Sequence, residues 1–120
     1  MPRALIVDDE ADIRLLLRAI IEDANHGLEV VAEAENGTNA VQRCREVQPD
    51  IVVLDQRMPD VTGLQAAERI LAERPDQPII LFSAYLDTEM MHAASALGVR
   101  ACISKQNAAD IPAALWKHSA

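Results

Sequence analysis

DIVVLD, residues 50–55, holds four consecutive apolar residues between two carboxylates. Three of the four are β-branched, which favours an extended strand. A strand that is apolar at every position is typical of the centre of a parallel sheet, where helices cover both faces. We therefore predict that residues 51–54 form a central strand and that Asp55 follows at its carboxyl end.

Similar apolar segments occur on both sides of this strand and alternate with helical patterns. Strands are predicted at residues 3–7, 28–34, 78–82 and about 100–103. Such a βα alternation with short connections predicts an α/β fold, a doubly wound parallel sheet of five strands and five helices. We treat residues 1–120 as one domain, since this length is sufficient for a single hydrophobic core.

The helices are predicted from apolar residues spaced three and four apart. The first has apolar residues at 13, 16, 17, 20 and 21 and is expected to end at His26-Gly27; the second has them at 40, 41, 44 and 47, follows a turn at residues 36–38 and ends at Pro49-Asp50. The third has them at 64, 67, 70 and 71 and ends before Pro75; the fourth spans roughly 87–97 and ends at Gly98; the last lies near 108–118.

Polar side chains follow four of the predicted strands. They are Asp8 and Asp9 after the first strand, Asp55 after the third, Ser83 after the fourth and Lys105 after the fifth. The carboxyl ends of parallel strands meet at one edge, where open α/β sheets bind ligands. Carboxylates crowded together repel one another unless a hard divalent cation lies between them. One of the acidic residues at 8–10 is also expected to cap the first helix.

Composition narrows the class of protein. The net charge of −8 argues against direct binding of nucleic acid or anionic membrane by this segment. No apolar run is long enough to span a membrane, and Cys44 and Cys102 form no CxxC pair, so we expect a cytoplasmic protein with two buried free thiols.

Five motifs together resemble the receiver domain of two-component response regulators, the CheY-like superfamily with strand order 2-1-3-4-5. They are Val7-Asp8-Asp9-Glu10, residues 50–55, Met58-Pro59-Asp60-Val61-Thr62-Gly63-Leu64, Ser83-Ala84 and Ser104-Lys105. The order and spacing match over nearly the whole chain.

The resemblance implies a role for each site residue. Asp55 would accept a phosphoryl group from a sensor histidine kinase or a phosphotransfer protein, and Ser83 and Lys105 would contact the phosphoryl oxygens. Asp9 would bind Mg²⁺ directly and Asp8 mostly through water, with Asp55 and the backbone carbonyl of Arg57 completing the protein ligands. Such a domain catalyses only its own phosphorylation and dephosphorylation.

Several positions depart from the common receiver pattern. Gln106 follows the lysine in place of proline, which predicts a trans or strained peptide there. Cys102 stands where an aromatic residue usually swings inward on activation. Ala84 and Tyr85 follow Ser83, and we predict that activation works through residues 84–89, with Cys102 buried in both states.

The output surface is expected on the fourth helix, the fifth strand and the last helix, where a homodimer or another partner would bind. Candidate contacts are Tyr85, Met90, Met91 and Trp116, with core packing the alternative for the methionines. The pattern is most similar to receivers that precede a LuxR-type helix-turn-helix, which implies transcription regulation. No such segment is present here, so the chain is either a stand-alone receiver or the receiver part of a longer regulator.

Three other functions are compatible with parts of the pattern. A haloacid-dehalogenase-type phosphohydrolase also uses an aspartate at a strand end, but it needs a carboxylate where Arg57 stands. A flavodoxin-like nucleotide-binding module needs a glycine- or serine-rich phosphate loop where Asp8-Asp9-Glu10 stands. A degenerate receiver that binds partners without phosphorylation stays open.

Overall fold

The computed structural model describes residues 2–23 and 26–119, which form one five-stranded parallel sheet in the order β2-β1-β3-β4-β5. The strands are β1 (Arg3–Val7), β2 (Glu29–Ala34), β3 (Ile51–Leu54), β4 (Ile79–Ser83) and β5 (Ala101–Ser104). The α-helices are α1 (Ala11–Ile21), α2 (Gly37–Val47), α3 (Gly63–Glu73), α4 (Thr88–Leu97) and α5 (Ile111–His118). The predicted fold class and strand order are confirmed.

Helices cover both faces of the sheet, and each face has its own aliphatic core. Side chains that alternate along the strands pack against α2, α3 and α4 on one face and against α1 and α5 on the other. All four residues of β3 are fully buried, as the apolar run at its centre predicts. Phe82, 2% exposed, is a buried aromatic residue on the α1 and α5 face.

The register aligns the carboxyl ends of four strands. Val7 of β1 lies opposite Leu54 of β3, and Ser83 of β4 lies opposite Ser104 of β5. The residues that follow these positions therefore emerge at the same edge of the sheet. This alignment brings together groups that are up to about a hundred positions apart in the chain.

The first helix is shorter than its sequence pattern suggests. It ends at Ile21, and the backbone N–H of Glu22 closes the last turn on the carbonyl of Arg18. The next residues are polar and offer the helix nothing further to bury. Gly27 does adopt a left-handed φ of 65°, but in the loop before β2 and not as the helix cap. Residues 24 and 25 lie outside the described residues.

Two further predictions are wrong in detail. Residues 36–38 are not a separate turn: Asn36 is the N-cap of α2, and its side chain accepts a hydrogen bond from the backbone N–H of Asn39. The last helix begins with a 3₁₀ segment, Lys105–Asp110, before the α-helix starts at Ile111. Pro112 lies in the first turn of α5, where a residue without an N–H is tolerated.

Exposed apolar residues lie on α1 and α5. Leu16 is 44% exposed, so it does not belong to the buried stripe of α1 that Leu17 and Ile21 form. Trp116 donates a hydrogen bond from its indole nitrogen to the carbonyl of His26, at 2.6 Å. It thus packs beside the α1–β2 loop, yet it stays 53% exposed, and its assignment to the output surface remains a prediction. Within the described chain, no helix is long and apolar enough to cross a membrane.

Candidate functional site

The loop between β1 and α1 carries three adjacent carboxylates. Asp8 is 1% exposed, and its Oδ1 accepts a hydrogen bond from the backbone N–H of Glu10 at 2.9 Å. Arg14 donates to the backbone carbonyl of Asp8 at 2.7 Å, which holds the loop from the α1 side. Glu10 is the N-cap residue of α1, but its side chain makes no capping hydrogen bond. The prediction of a side-chain cap is therefore wrong for Glu10, and the acidic loop meets the helix terminus through the hydrogen bond that Asp8 accepts from the N-cap residue.

Asp55 follows β3 and lies beneath the same edge. It is 3% exposed, and burial, together with the charge of Asp8, raises its pKa from 3.8 to about 6, while Lys105 acts in the opposite direction. The carboxylate is therefore mostly ionised at neutral pH, although its environment disfavours the charge. Any cation that enters the site would therefore stabilise the ionised form of Asp55.

Lys105 supplies the positive charge of the site. Its Nζ lies 2.8 Å from Oδ2 of Asp8 and 3.3 Å from Oδ2 of Asp55. Burial opposes the ammonium charge, but the two carboxylates outweigh it and raise the pKa of Lys105. The peptide bond to Gln106 is trans, as the absence of proline there predicts.

Ser83 completes the buried polar groups at this edge. It is 2% exposed, and its Oγ makes two long contacts of 3.4 Å, with the backbone N–H and the carbonyl of Tyr85. Contacts of this length are weak, so the hydroxyl can reorient at little cost. The same contacts link Ser83 to the residue whose side chain stands at the mouth of the site.

An open crevice of about 320 Å³ lies above these groups, lined by Asp9, Glu10, Asp55, Arg57, Ser83, Ala84, Tyr85 and Lys105. At its rim the guanidinium carbon of Arg57 stacks over the Tyr85 ring, 4.6 Å from the ring centroid. A groove of about 450 Å³ between α2 and α3 is larger, but its acidic residue Glu73 is paired with Arg45. The smaller crevice is the better candidate site because the buried ionisable groups converge there.

The acidic loop fits a divalent cation. Asp8, Asp9 and Glu10 can each present one carboxylate oxygen within 4.8 Å of the others. Oδ2 of Asp8 is buried and forms an ion pair with Lys105. In the described part of the chain it accepts no other hydrogen bond, so it can still bind a cation. Oxygen ligands of this kind suit Mg²⁺. Glu10 was not among the predicted ligands, although its position directly after Asp9 was a usable signal.

The predicted switch residues differ in their surroundings. Tyr85 is 64% exposed, and Ala84 is exposed as well. Cys102 is only partly buried, unlike Cys44, so the prediction of two buried thiols is wrong for one of them. It lies opposite Leu81 in the sheet and packs against the core beneath α4. Its position at the edge strand explains its exposure.

Two residues that hold the Asp55 loop were not predicted. The side-chain oxygen of Gln56 accepts a hydrogen bond from the backbone N–H of Leu64 at 2.9 Å. The backbone carbonyl of Gln56 accepts a second one from the backbone N–H of Gly63, also at 2.9 Å. A Cβ atom on Gly63 would lie 2.2 Å from the carbonyl oxygen of Asp55. The start of α3 therefore packs directly under Asp55, and the glycine is required for that approach.

Comparisons with known proteins agree with this geometry. A family model described as the response regulator receiver domain matches residues 4–115. The chain is 42% identical over 110 residues to the chemotaxis protein CheY of Listeria monocytogenes, which covers 92% of this chain and 91% of that protein. It is 36% identical to the transcriptional regulatory protein YdfI of Bacillus subtilis, over 92% of this chain and 51% of that protein.

Solved structures show the same likeness. The response regulator domain of Thermotoga maritima CheB has a TM-score of 0.91 at 25% identity and covers 98% of this chain and 96% of that one. A LuxR-family response regulator from Aurantimonas sp. SI85-9A1 has a TM-score of 0.88 at 28% identity, over 99% and 88%. The predicted likeness to LuxR-type receivers is confirmed, alongside CheY proteins that match at higher identity. The chain belongs to the response regulator receiver domain family.

Proposed function

We propose that this receiver is a phosphorylation-dependent switch in which Asp55 accepts a phosphoryl group from the phosphohistidine of a sensor histidine kinase or phosphotransfer protein. One observation carries the proposal: a buried carboxylate with a pKa near 6 lies 3.3 Å from a lysine ammonium at the floor of an open crevice. The carboxylate oxygen would attack phosphorus, and the phosphorus–nitrogen bond to the imidazole would break.

The surrounding residues would stabilise charge and position the group. Phosphoryl transfer depends mainly on alignment and on neutralising the equatorial oxygens. Lys105 would pair with one of these oxygens, and the Ser83 hydroxyl would donate a hydrogen bond to another. Asp8, Asp9, Asp55 and the Arg57 carbonyl would hold Mg²⁺, with Glu10 close by. The ion would offset the charge of the carboxylates and of the incoming phosphoryl group.

The phosphohydrolase alternative has little support. Arg57 stands where that chemistry needs a carboxylate, and its side chain is stacked on Tyr85 at the rim. A degenerate receiver would be expected to lack one of the polar groups of the site. Here Asp55, Ser83 and Lys105 all line one crevice. A receiver that binds partners without phosphorylation would be indicated if the parent failed to label in the test below.

The output surface would be the face formed by α4, β5 and α5, where a homodimer or a downstream partner could bind. Met91 is 40% exposed on α4, whereas Met90 packs partly against the core. Tyr85 adjoins this face through the loop before α4. Adaptable contacts of methionine and tyrosine are common at such interfaces.

The test uses acetyl phosphate as a small phosphodonor, with Mg²⁺ and no kinase. Intact-mass spectrometry should show one added phosphoryl group that hydroxylamine removes, and Asp55→Asn should abolish it. Asp9→Ala should abolish most of the labelling, and the labelling that remains should no longer depend on Mg²⁺. Asp12→Ala, an exposed carboxylate in the first turn of α1, is the matched control and should label like the parent. Equal labelling of Asp55→Asn, or no labelling of the parent, would contradict the proposal.

A further inference from the structure

The loop between Asp55 and α3 is attached to a helix that takes no direct part in the site. Asp60, in this loop, accepts hydrogen bonds from the first two backbone amides of α2: Oδ1 from Gly37 at 3.0 Å and Oδ2 from Thr38 at 2.9 Å. Oδ1 also accepts from the backbone N–H of Val61 at 2.7 Å. One carboxylate thus bridges two segments that are 22 positions apart in the chain.

Packing reinforces this bridge. Gly37 is buried against Val61, and a Cβ atom on the glycine would lie 2.1 Å from a Val61 methyl carbon. The Thr38 hydroxyl and the backbone amides of residues 37, 38 and 61 hold the pKa of Asp60 well below its usual range. The carboxylate therefore stays charged and engaged although Asp60 itself is exposed.

Capping alone does not explain the arrangement, because α2 already has its own N-cap. Asn36 accepts from the backbone N–H of Asn39 at 2.8 Å, whereas Asp60 reaches the two preceding amides from another loop. The two side chains satisfy different donors of the same helix terminus. Removing either should weaken α2, but only Asp60 ties α2 to the loop that begins at Asp55.

We infer that Asp60 is a positioning residue for phosphoryl transfer: its bridge to the α2 terminus holds the loop so that Arg57 stays over the site. Gln56, at the start of the loop, accepts hydrogen bonds from Gly63 and Leu64, so these bonds join the two ends of the loop to each other. Without Asp60, Met58 and Val61 still pack against the core, but in the described part of the chain no hydrogen bond then ties the segment from Arg57 to Val61 to α2. This inference rests on the proposed phosphorylation of Asp55.

A small displacement of this loop would act on the chemistry in two ways. The Arg57 carbonyl would move away from the Mg²⁺ position, and the Arg57 side chain would move away from Tyr85. Misplacement by about 1 Å costs up to about 100-fold in rate when geometry is what supplies the acceleration. The effect should therefore appear in the Mg²⁺ dependence and not only in stability.

The experiment compares Asp60→Ala with Asn36→Ala, which removes a hydrogen bond at the same helix terminus. Labelling by acetyl phosphate is followed by intact mass across a Mg²⁺ titration. Asp60→Ala should lower the rate about 5- to 50-fold and raise the Mg²⁺ concentration at half-maximal rate. Asn36→Ala should stay within about twofold of the parent despite a similar loss of melting temperature. Asp60→Asn keeps one acceptor oxygen and should recover part of the rate.

A second measurement does not depend on phosphorylation. In ¹⁵N NMR spectra without a phosphodonor, Asp60→Ala should shift or broaden the amides of Arg57 and Met58, and Asn36→Ala should leave them in place. Failure of the parent to label would reject the proposed function, and the NMR comparison would still decide the loop attachment. Parent-like rates and an unchanged Arg57 amide in Asp60→Ala, or equal slowing in Asn36→Ala, would overturn the inference.

Discussion

The ammonium nitrogen of Lys105 lies 3.3 Å from Oδ2 of Asp55 and only 2.8 Å from Oδ2 of Asp8. One lysine therefore forms ion pairs with two buried carboxylates, and its ammonium group lies between them. The pocket keeps an excess of negative charge even before the exposed Asp9 and Glu10 are considered. This excess makes the site receptive to a cation, and it determines how substitutions at these positions should act.

Lys105→Met should destabilise the protein because it leaves Asp8 and Asp55 without their counter-charge. Loss of one partner of a buried ion pair typically costs about 3 kcal/mol or more of unfolding free energy. Urea denaturation with a chelator present would measure the loss, and added Mg²⁺ should restore part of it. Lys117→Met, on the exposed side of α5, should change stability by less than about 1 kcal/mol. A Lys105→Met protein as stable as this control would contradict the ion-pair arrangement.

Asp55→Asn should remove a pH dependence of stability. The pKa of Asp55 is raised from 3.8 to about 6 on folding, so folding favours the neutral form. The stabilisation from this group is fully present below the unfolded pKa and is lost as pH rises through about 6. The parent should therefore lose about 2–3 kcal/mol relative to Asp55→Asn between about pH 4 and pH 8, in chelator.

The measurement is urea denaturation of both proteins across that pH range. Taking the difference between them removes the contributions of titrating groups that do not interact with Asp55, so it reports on Asp55 together with its charged neighbours Asp8 and Lys105. Asp12→Asn, on the exposed first turn of α1, should follow the parent at every pH. Parallel curves for the parent and Asp55→Asn would show that burial does not raise the pKa of this carboxyl.

Arg57 and Tyr85 should slow loss of the phosphoryl group by covering the mouth of the crevice. Both side chains line the crevice that holds Asp55, and we expect their stacking at 4.6 Å to obstruct the approach of water to it. An exposed cation–π contact is worth about 0.5–1 kcal/mol, so Arg57→Ala and Tyr85→Ala should each speed hydrolysis roughly 2- to 5-fold. The double variant should gain little more, because each single change already breaks the pair.

Decay of the phosphorylated form after removal of donor, followed by intact mass, measures this effect. Arg69→Ala, an exposed arginine of α3 away from the crevice, is the control. Decay rates of the Arg57 and Tyr85 variants equal to that of Arg69→Ala would mean that the stacked pair does not shield the site.

The sequence predicted the sheet and the convergence of the site for the same physical reason. An apolar run such as residues 51–54 has one favourable location, the centre of the sheet, and its neighbours in the chain then fix which edge receives Asp55. The ends of the helices were harder to predict from the sequence. The end of α1 depends on where burial stops at Ile21, and the 3₁₀ segment Lys105–Asp110 has no buried residue whose spacing could distinguish it from the start of the helix.

Contacts between side chains from different loops could not be predicted from spacing. Arg57 and Tyr85 are both long enough to reach the crevice, but their stacking requires the relative positions of two loops. The bridge from Asp60 to α2 depends in the same way on the backbone at Gly37. The contact of Trp116 with the α1–β2 loop was not predicted either, because it depends on a hydrogen bond to His26 that the spacing of residues does not reveal.

The signal should leave the site through Tyr85 and the loop before α4. Ser83 contacts the backbone of Tyr85, so movement of the serine toward a phosphoryl group should displace that loop. Cys102 has no ring to rotate. Tyr85→Ala keeps these backbone contacts but removes the ring that would carry the movement onward, so it should lower the coupling between phosphorylation and the α4–β5–α5 face at least about fivefold. Cys102→Tyr should place an aromatic side chain beside the loop and recover part of that coupling.

Two measurements, each made with and without acetyl phosphate, report on this coupling. They are the amide hydrogen exchange of Thr88–Leu97 and the size of the protein in solution. Leu15→Ala, at an exposed residue of α1, keeps the loop and serves as the control for loss of an apolar surface side chain. A Tyr85→Ala protein whose α4 responds to phosphorylation like the parent would place the relay elsewhere.

The most direct measurement of the central claim locates the phosphoryl group on the chain. After labelling with acetyl phosphate and Mg²⁺, borohydride reduction converts an aspartyl phosphate to homoserine, which peptide mass spectrometry assigns to one position. We expect homoserine at position 55 and at no other aspartate, with none when Mg²⁺ is chelated or when Asp55 is replaced by asparagine. Homoserine at Asp8 or Asp9, or its absence from position 55 in a labelled protein, would contradict the account.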